Sequence, residues 1–366
     1  MATTASLKQP ETKIDKKSLD WRIAKRRRDL LNRSALTLLA VILLSIYLMP
    51  MAYGIVTSLK SKAQVGDSTA PLLPMETVLF EYEGQQLGVY TLSLEDGDRE
   101  LALLRPSRNS SVFLDPNNLE AGEITWEGNW RQLEPVREFA VQWDNYSRAW
   151  NTIDFARLLG NTLTYAIVTM VGTLVASSLT AYGFARFRFP GRNILFMILI
   201  STIILPPAVT LVPTYAFFVT VLDWGGTWWP LIVPQMFGNA YNVFLLRQYF
   251  LTIPREMEEA AYIDGAGPFR TFISVILPQA GPALTAVALF HFFFAWNDFF
   301  GPLIYLAGSR DQNPITVGLT EFNGIYSVEP NLILAAAIIS MILPLAIFFM
   351  AQRVFIQGIV ITGVDK

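Results

Sequence analysis

Six uncharged stretches, each 23 residues or longer, constrain this chain more than any other feature: Ser34 to Leu59, Leu158 to Ala185, Asn193 to Leu222, Trp224 to Leu246, Thr271 to Asn297 and Pro330 to Gln352. A helix needs about 20 largely apolar residues to cross a ~30 Å hydrocarbon layer, and every one of these runs meets that length. Only 16% of the 366 residues are charged, well below the ~25% of an average soluble domain. The expected architecture is an all-α polytopic membrane protein with six transmembrane helices. Cysteine is absent, which removes disulfides, thiolate metal sites and cysteine nucleophiles.

The loops set an orientation. The first 33 residues carry ten Lys and Arg against four acids and abut the first apolar run, so by the positive-inside rule this end is cytoplasmic. Six spans then place both termini inside. The 60–157 loop faces outward, with nine basic and sixteen acidic residues. The short loop holding Arg186, Arg188 and Arg192 is again an inside loop, and Trp224, Trp228 and Trp229 mark the outer interface. Expected divisions are a basic segment 1–33, a first span 34–59, an extracytoplasmic insertion and return 60–157, a core of five further spans 158–356, and a cytoplasmic tail 357–366.

Within the outward loop, Val78 to Tyr82, Gln86 to Leu92, Glu100 to Leu104 and Ser111 to Leu114 are short, aliphatic or aromatic, and separated by Gly, Asp, Pro and Asn. They read as strands and turns, giving a small β-rich insertion between helices 1 and 2. Its role as a docking surface or as plain decoration stays open.

The inside connection between spans four and five carries the most specific pattern. Pro254 suits a first helical position, and Glu256, Glu258 and Glu259 complement the positive end of a helix dipole. Gly265 and Gly267 supply stop signals, and Pro268 can open the next helix. A helix of about ten residues, ~15 Å long, is expected here. Met257, Ala260, Ala261 and Asp264 fall on one face of it.

Glu259-Ala260-Ala261, then Gly265, then Val275, Leu277 and Pro278 resemble the EAA signature of integral-membrane permease subunits of ABC importers, with valine in place of the usual isoleucine. Leu245-Leu246-Arg247-Gln248, Ile253-Pro254, Asp264-Gly265-Ala266, Trp296-Asn297-Asp298-Phe299, Gln357-Gly358 and Gly363-Val364 are similar to the maltose-type carbohydrate branch. Ile359, Val360 and Ile361 replace that branch's small-residue stretch. The resemblance runs from Asp144-Asn145-Tyr146 to the end of the chain and includes the first span; the 63–140 region has no counterpart in it.

The resemblance implies a type I ABC importer permease fold in the plasma membrane, importing a sugar or oligosaccharide. The 251–278 loop would couple to ATPase subunits through Met257, Glu259, Ala260, Ala261, Asp264 and Gly265. Trp296, Asn297, Asp298, Asn323, Gly324 and Tyr326 are the candidates for the translocation path or for contact with a binding protein. The implied partners are a second permease subunit forming a heterodimer, two ATPase subunits, an extracytoplasmic solute-binding protein and the lipid bilayer, with no nucleic acid.

The chain itself cannot hold a P-loop, because no lysine occurs between Lys62 and Lys366 and the loop requires one. No cofactor is therefore expected in this subunit; ATP and Mg belong to the ATPase subunits. The alternative is a secondary transporter driven by an ion gradient and acting alone. It needs ionisable groups near mid-membrane, and only His291 and Asp298 are offered. His291 reads as a packing residue. An intramembrane enzyme would need a nucleophile or metal constellation, and none is found.

Overall fold

The computed structural model describes residues 16–94, 97–323 and 328–360. Gly324, Tyr326, Gly363 and Val364 lie outside these.

Helix α1 (Lys16–Ser58) takes in residues 16–33 of the basic segment and continues without a break through the first apolar run. Leu31, Leu36, Ile46, Tyr47 and Met49 along it are all exposed, a surface that water would not tolerate over such a length but that lipid would. The turn-and-a-half α2 (Lys62–Gly66) then leads into eight strands: β1 (Met75–Thr77), β2 (Leu79–Tyr82), β3 (Gln85–Leu94), β4 (Gly97–Arg105), β5 (Ser110–Leu114), β6 (Ile124–Glu127), β7 (Glu134–Pro135) and β8 (Arg137–Phe139). The order β2-β3-β4-β5-β6 is antiparallel throughout, β7 adds to β3, and β1 pairs with β8. Period-two alternation gives each face its own small core. Leu87, Val89, Ala102 and Leu114 fill one, and Leu92, Leu101, Leu103 and Phe113 the other. The four expected strands are present within a residue or a few of their expected ends.

Polar side-chain contacts hold the base of this insertion. Gln64 donates to the carbonyls of Pro71 and Leu73 and accepts from the amide of Met75. Asp67 accepts from the hydroxyl and amide of Thr69 and pairs with Arg137 at 2.5 Å. Those hydrogen bonds, with the guanidinium behind them, hold its carboxyl below its ordinary value. Entry and exit lie side by side: Asn145, at the start of α3 (Asp144–Thr152), donates to the carbonyls of Ser58 and Lys60, both at 2.8 Å. An element whose ends meet can be added without displacing the rest of a fold.

The central helix is α4 (Phe155–Arg186), 32 residues and ~48 Å long. Its buried face runs Thr162, Ala166, Thr169, Thr173, Ser177, Ala181 and Ala185. Small side chains at this spacing let neighbouring backbones approach closely, the usual basis of helix association in lipid. Thr162 and Thr169 return their hydroxyl protons to the carbonyls of Leu158 and Tyr165.

Next come α5 (Arg192–Ser201), α6 (Pro207–Tyr215), α7 (Trp229–Ile232), α8 (Ala240–Thr252), α9 (Glu256–Ile263), α10 (Pro268–Thr271), α11 (Leu277–Gln279), α12 (Gly281–Trp296), α13 (Phe300–Tyr305), α14 (Ile315–Gly318) and α15 (Pro330–Val360). α4 packs on α8 and α12, and α12 on α15. One apolar core gathers Phe155, Leu158, Tyr165, Phe292, Trp296, Ile315 and Leu332; a second gathers Tyr182, Val243, Phe250, Phe272 and Ile276.

The six expected apolar runs are not all single helices. Among the described residues three helices are long and apolar enough to cross a membrane, namely Lys25–Ser58, Phe155–Arg186 and Pro330–Gln352. Two bent pairs raise the number to five if each is one span: Arg192–Ile204 with Val209–Val221, turned by 100°, and Pro268–Gln279 with Gly281–Trp296, turned by 81°. Proline explains the first break, since Pro206 and Pro207 cannot donate to a helical ladder. The run from Trp224 to Leu246 is not one helix. Pro230 and Pro234 each open a new short turn, and Gly238 at φ 74° separates the second turn from α8.

Candidate functional site

The 251–278 connection contains a separate short helix. α9 begins at Glu256, two residues after Pro254, and has eight residues rather than the expected ten. Three glutamates lie in its first turns. Its end is set by a Schellman motif: the Ala266 amide donates to the carbonyl of Ala261 at 2.9 Å, and the Gly265 amide to that of Tyr262 at 3.0 Å. That geometry requires a left-handed residue, and Gly265 supplies it at φ 79°. Gly267 has an ordinary negative φ of −75° and stands as the cap of α10, so only the first glycine ends the helix.

Adjacent residues on α9 point about 100° apart, which separates Glu258 from Glu259. Glu259 is exposed, as are Met257, Ala260, Asp264 and Gly265, while Ala261 is half-buried. Glu258 turns inward to Arg186, the last residue of α4; Nε and Oε1 are 2.5 Å apart, with 6% and 7% of the two side chains exposed. Burial pushes the Glu258 carboxyl above its ordinary value, and Arg186 and Arg255 pull against that shift. Beyond the helix, Ile263 is 86% exposed and Phe269 67%. An exposed patch of carboxylates, small side chains and two large apolar groups has the composition of a protein-contact surface. Arg186, Glu258, Ile263 and Phe269 were not singled out by spacing. Arg186 registered only as an inside-loop charge and Glu258 only as a dipole-complementing acid, because their meeting depends on how α4 and α9 are brought together.

The second expected group is only partly assembled. Trp296 is buried and stacked on Phe292 with ring centroids 5.6 Å apart, so it belongs to the core. Asn297 is exposed and donates to the carbonyl of Phe293, one turn back on its own helix. Asp298 accepts from the Tyr165 hydroxyl at 2.8 Å and from the Gly301 amide at 3.2 Å, and its carbonyl accepts from Thr316. Asn323 is exposed and makes a single antiparallel bridge to Val328. His291 is buried, its Nε2 3.5 Å from the Thr173 hydroxyl, which itself donates to the Gln235 carbonyl. Among the described residues no group of three His, Cys, Asp or Glu could hold a metal ion.

Comparison with known proteins gives this arrangement a family. The pattern that defines the inner membrane components of binding-protein-dependent transport systems matches residues 169–361, more than half of the chain. The osmoprotective compounds uptake permease protein GgtD of Synechocystis sp. is 33% identical over 244 residues, 66% of this chain and 80% of that one. The sn-glycerol-3-phosphate transport system permease protein UgpE of Pectobacterium atrosepticum is 32% identical over 254 residues, 69% and 85% of the two chains. The alpha-glucoside transport system permease protein AglG of Rhizobium meliloti is 31% identical over 224 residues, 59% and 58%. In fold, the chain is similar to one from a bacterial ABC transporter involved in the import of the acidic polysaccharide alginate, with a TM-score of 0.61, 20% identity, and coverage of 89% of this chain and 97% of that one. The matched pattern contains the whole of α9 and the Arg186–Glu258 pair. The chain belongs to the inner-membrane components of binding-protein-dependent transport systems: it is a multi-pass permease subunit of an ABC importer, not an enzyme, and holds no cofactor of its own.

Proposed function

We propose that the subunit imports a sugar, oligosaccharide or related polyol, and that α9 receives the movement of a partner ATPase through Met257, Glu259, Ala260, Ala261, Asp264 and Gly265. The observation that carries the reading is a short helix with the EAA spacing, closed by Gly265 at φ 79° and exposing Glu259. Small side chains at Ala260 and Ala261 allow close approach by another backbone, and the exposed carboxylates give it polar partners. The printed names of relatives, an alpha-glucoside system and a glycerol-3-phosphate system, support a polyhydroxylated cargo.

The working assembly pairs this chain with a second, different permease, two ATPase subunits binding ATP and Mg, and an extracytoplasmic solute-binding protein. Both termini and α9 face the cytoplasm, and the β-rich insertion faces outward. A broken sixth crossing is formed by α7, α8 and the turn between them. Pathway contacts are assigned to Asn297 and Asn323, with Gly324 and Tyr326 beside them in the chain; Trp296 and Asp298 shape that end of α12 from within.

The test is binding-protein-stimulated ATP hydrolysis by the reconstituted complex carrying Glu259→Lys or Gly265→Pro. The proposal expects stimulation to be lost with the subunits still assembled. Stimulation at the wild-type level would falsify the coupling role.

A further inference from the structure

The last turn of α4 grips the coupling loop at three places. Tyr182 and Arg186, at i and i+4, share one face of the helix. Arg186 Nη2 donates to the carbonyl of Ile253 at 2.8 Å, just before α9. Its Nε meets Glu258 inside α9. The Tyr182 hydroxyl donates to the carbonyl of Pro268 at 3.3 Å, just after α9, and its ring lies 4.7 Å from that of Phe272. Glu256, Met257, Glu259, Ala260 and Tyr262 are exposed, so within this chain the inward side of α9 rests on these ties. An exposed ion pair would hold little; a buried charge deprived of its partner is strongly disfavoured, so this pair resists separation.

At its other end α4 is tied again. Tyr165 donates to Asp298, and the Thr162 hydroxyl accepts from the Ile315 amide at 2.9 Å. No proline interrupts α4, so the 22 residues from Tyr165 to Arg186 form a continuous ladder of ~32 Å.

We propose that the Arg186–Glu258 pair is a strut that makes α9 and α4 move as one body, so that a push on the coupling helix is delivered along α4 to Asp298 and α14. The inference rests on the reading of α9 as the ATPase-facing helix. Arg186 and Glu258 are positioning residues: they touch neither solute nor nucleotide, and act by keeping two elements in register.

The test uses the complete complex in lipid nanodiscs. The chain lacks cysteine, so spin labels at Gly183→Cys on α4 and Glu256→Cys on α9 report one distance within this subunit without disturbing the pair. The strut predicts the same distance without nucleotide and with ATP and vanadate. A shift of several ångströms between those states overturns it. In parallel, Glu258→Gln and Arg186→Gln are expected to lower the ratio of stimulated to unstimulated ATP hydrolysis by about three- to tenfold with ATPase subunits still bound. The exchanged pair Arg186→Glu with Glu258→Arg is expected to regain much of that ratio. A purely structural contact would change the melting temperature and leave the ratio alone, which contradicts the proposal. An Ala260→Cys cross-link to the ATPase separates the two levels. If the cross-link forms and the label distance shifts, the strut fails alone; if it does not form, the coupling reading fails with it.

Discussion

The Tyr165 hydroxyl donates to Asp298 Oδ2 across 2.8 Å, joining the first third of α4 to the end of α12. Its loss leaves the carboxylate, among the described residues, with the Gly301 amide as its remaining hydrogen-bond partner. Removing a hydrogen bond to a charged group costs about 1.5–3 kcal/mol. Tyr165→Phe is therefore expected to lower the thermal midpoint of the purified protein clearly, and Asp298→Asn, which keeps an acceptor oxygen, to lower it less. Equal effects, or none, would show that the contact contributes little.

Gly318 in α14 lies against Leu158, which is fully buried. A methyl group at 318 would collide with Cδ1, Cδ2 and Cγ of that side chain. Overpacking of this kind costs about 1–3 kcal/mol, whereas Gly→Ala in an open helix stabilises by about 1 kcal/mol. Gly318→Ala should destabilise, and combined with Leu158→Ala it should cost less than the sum of the two single losses. The check is the thermal midpoint of the single and double variants.

Acid should loosen the insertion at a defined point. The folded-state value of Asp67 is depressed below 3.8 by Thr69 and Arg137, so its contribution is fully present above the unfolded value and is lost as pH falls through the folded one. The Arg137 contact should therefore persist at pH 5 and weaken only below ~3.8. Asp67→Asn should remove that part of the acid sensitivity. Hydrogen exchange at the β1–β8 pair, measured against pH, reads it directly.

Ile263 and Phe269 stand out from the 251–278 connection at 86% and 67% exposure. If the ATPase covers them, they have the character of interface anchors, for which truncation costs about 2 kcal/mol or more. Ile263→Asp should reduce ATPase retention during purification by at least about thirtyfold in affinity. Leu119→Asp on the insertion, also exposed, should leave it unchanged. Equal retention by both variants would place the ATPase elsewhere.

What the sequence disclosed follows from which interactions are local. The strands from 79 to 114 were legible because alternation and turn residues act within a few positions, and Gly265 because its left-handed conformation is a one-residue requirement. The strands at 75–77, 124–127 and 134–139 were missed because they are short and are strands chiefly through their partners. Hydropathy located the apolar runs, and Pro206, Pro207, Pro230 and Pro234 within them mark where two of the runs break. Trp224 to Leu246 has the length of a span, yet two prolines and a glycine divide it. In the 251–278 connection helical spacing grouped Met257, Ala260, Ala261 and Asp264 on one face, while the contact of Glu258 with Arg186 required two distant segments to meet.

Cross-linking at position 260 addresses the central claim most directly. With Ala260→Cys as the sole cysteine of this subunit, a short bifunctional thiol reagent in membranes of the intact complex should join this chain to the ATPase subunit, with a yield that changes when ATP and vanadate are added. Modification of that cysteine in whole cells by a membrane-impermeant maleimide applied from outside, with no ATPase adduct, would contradict the account.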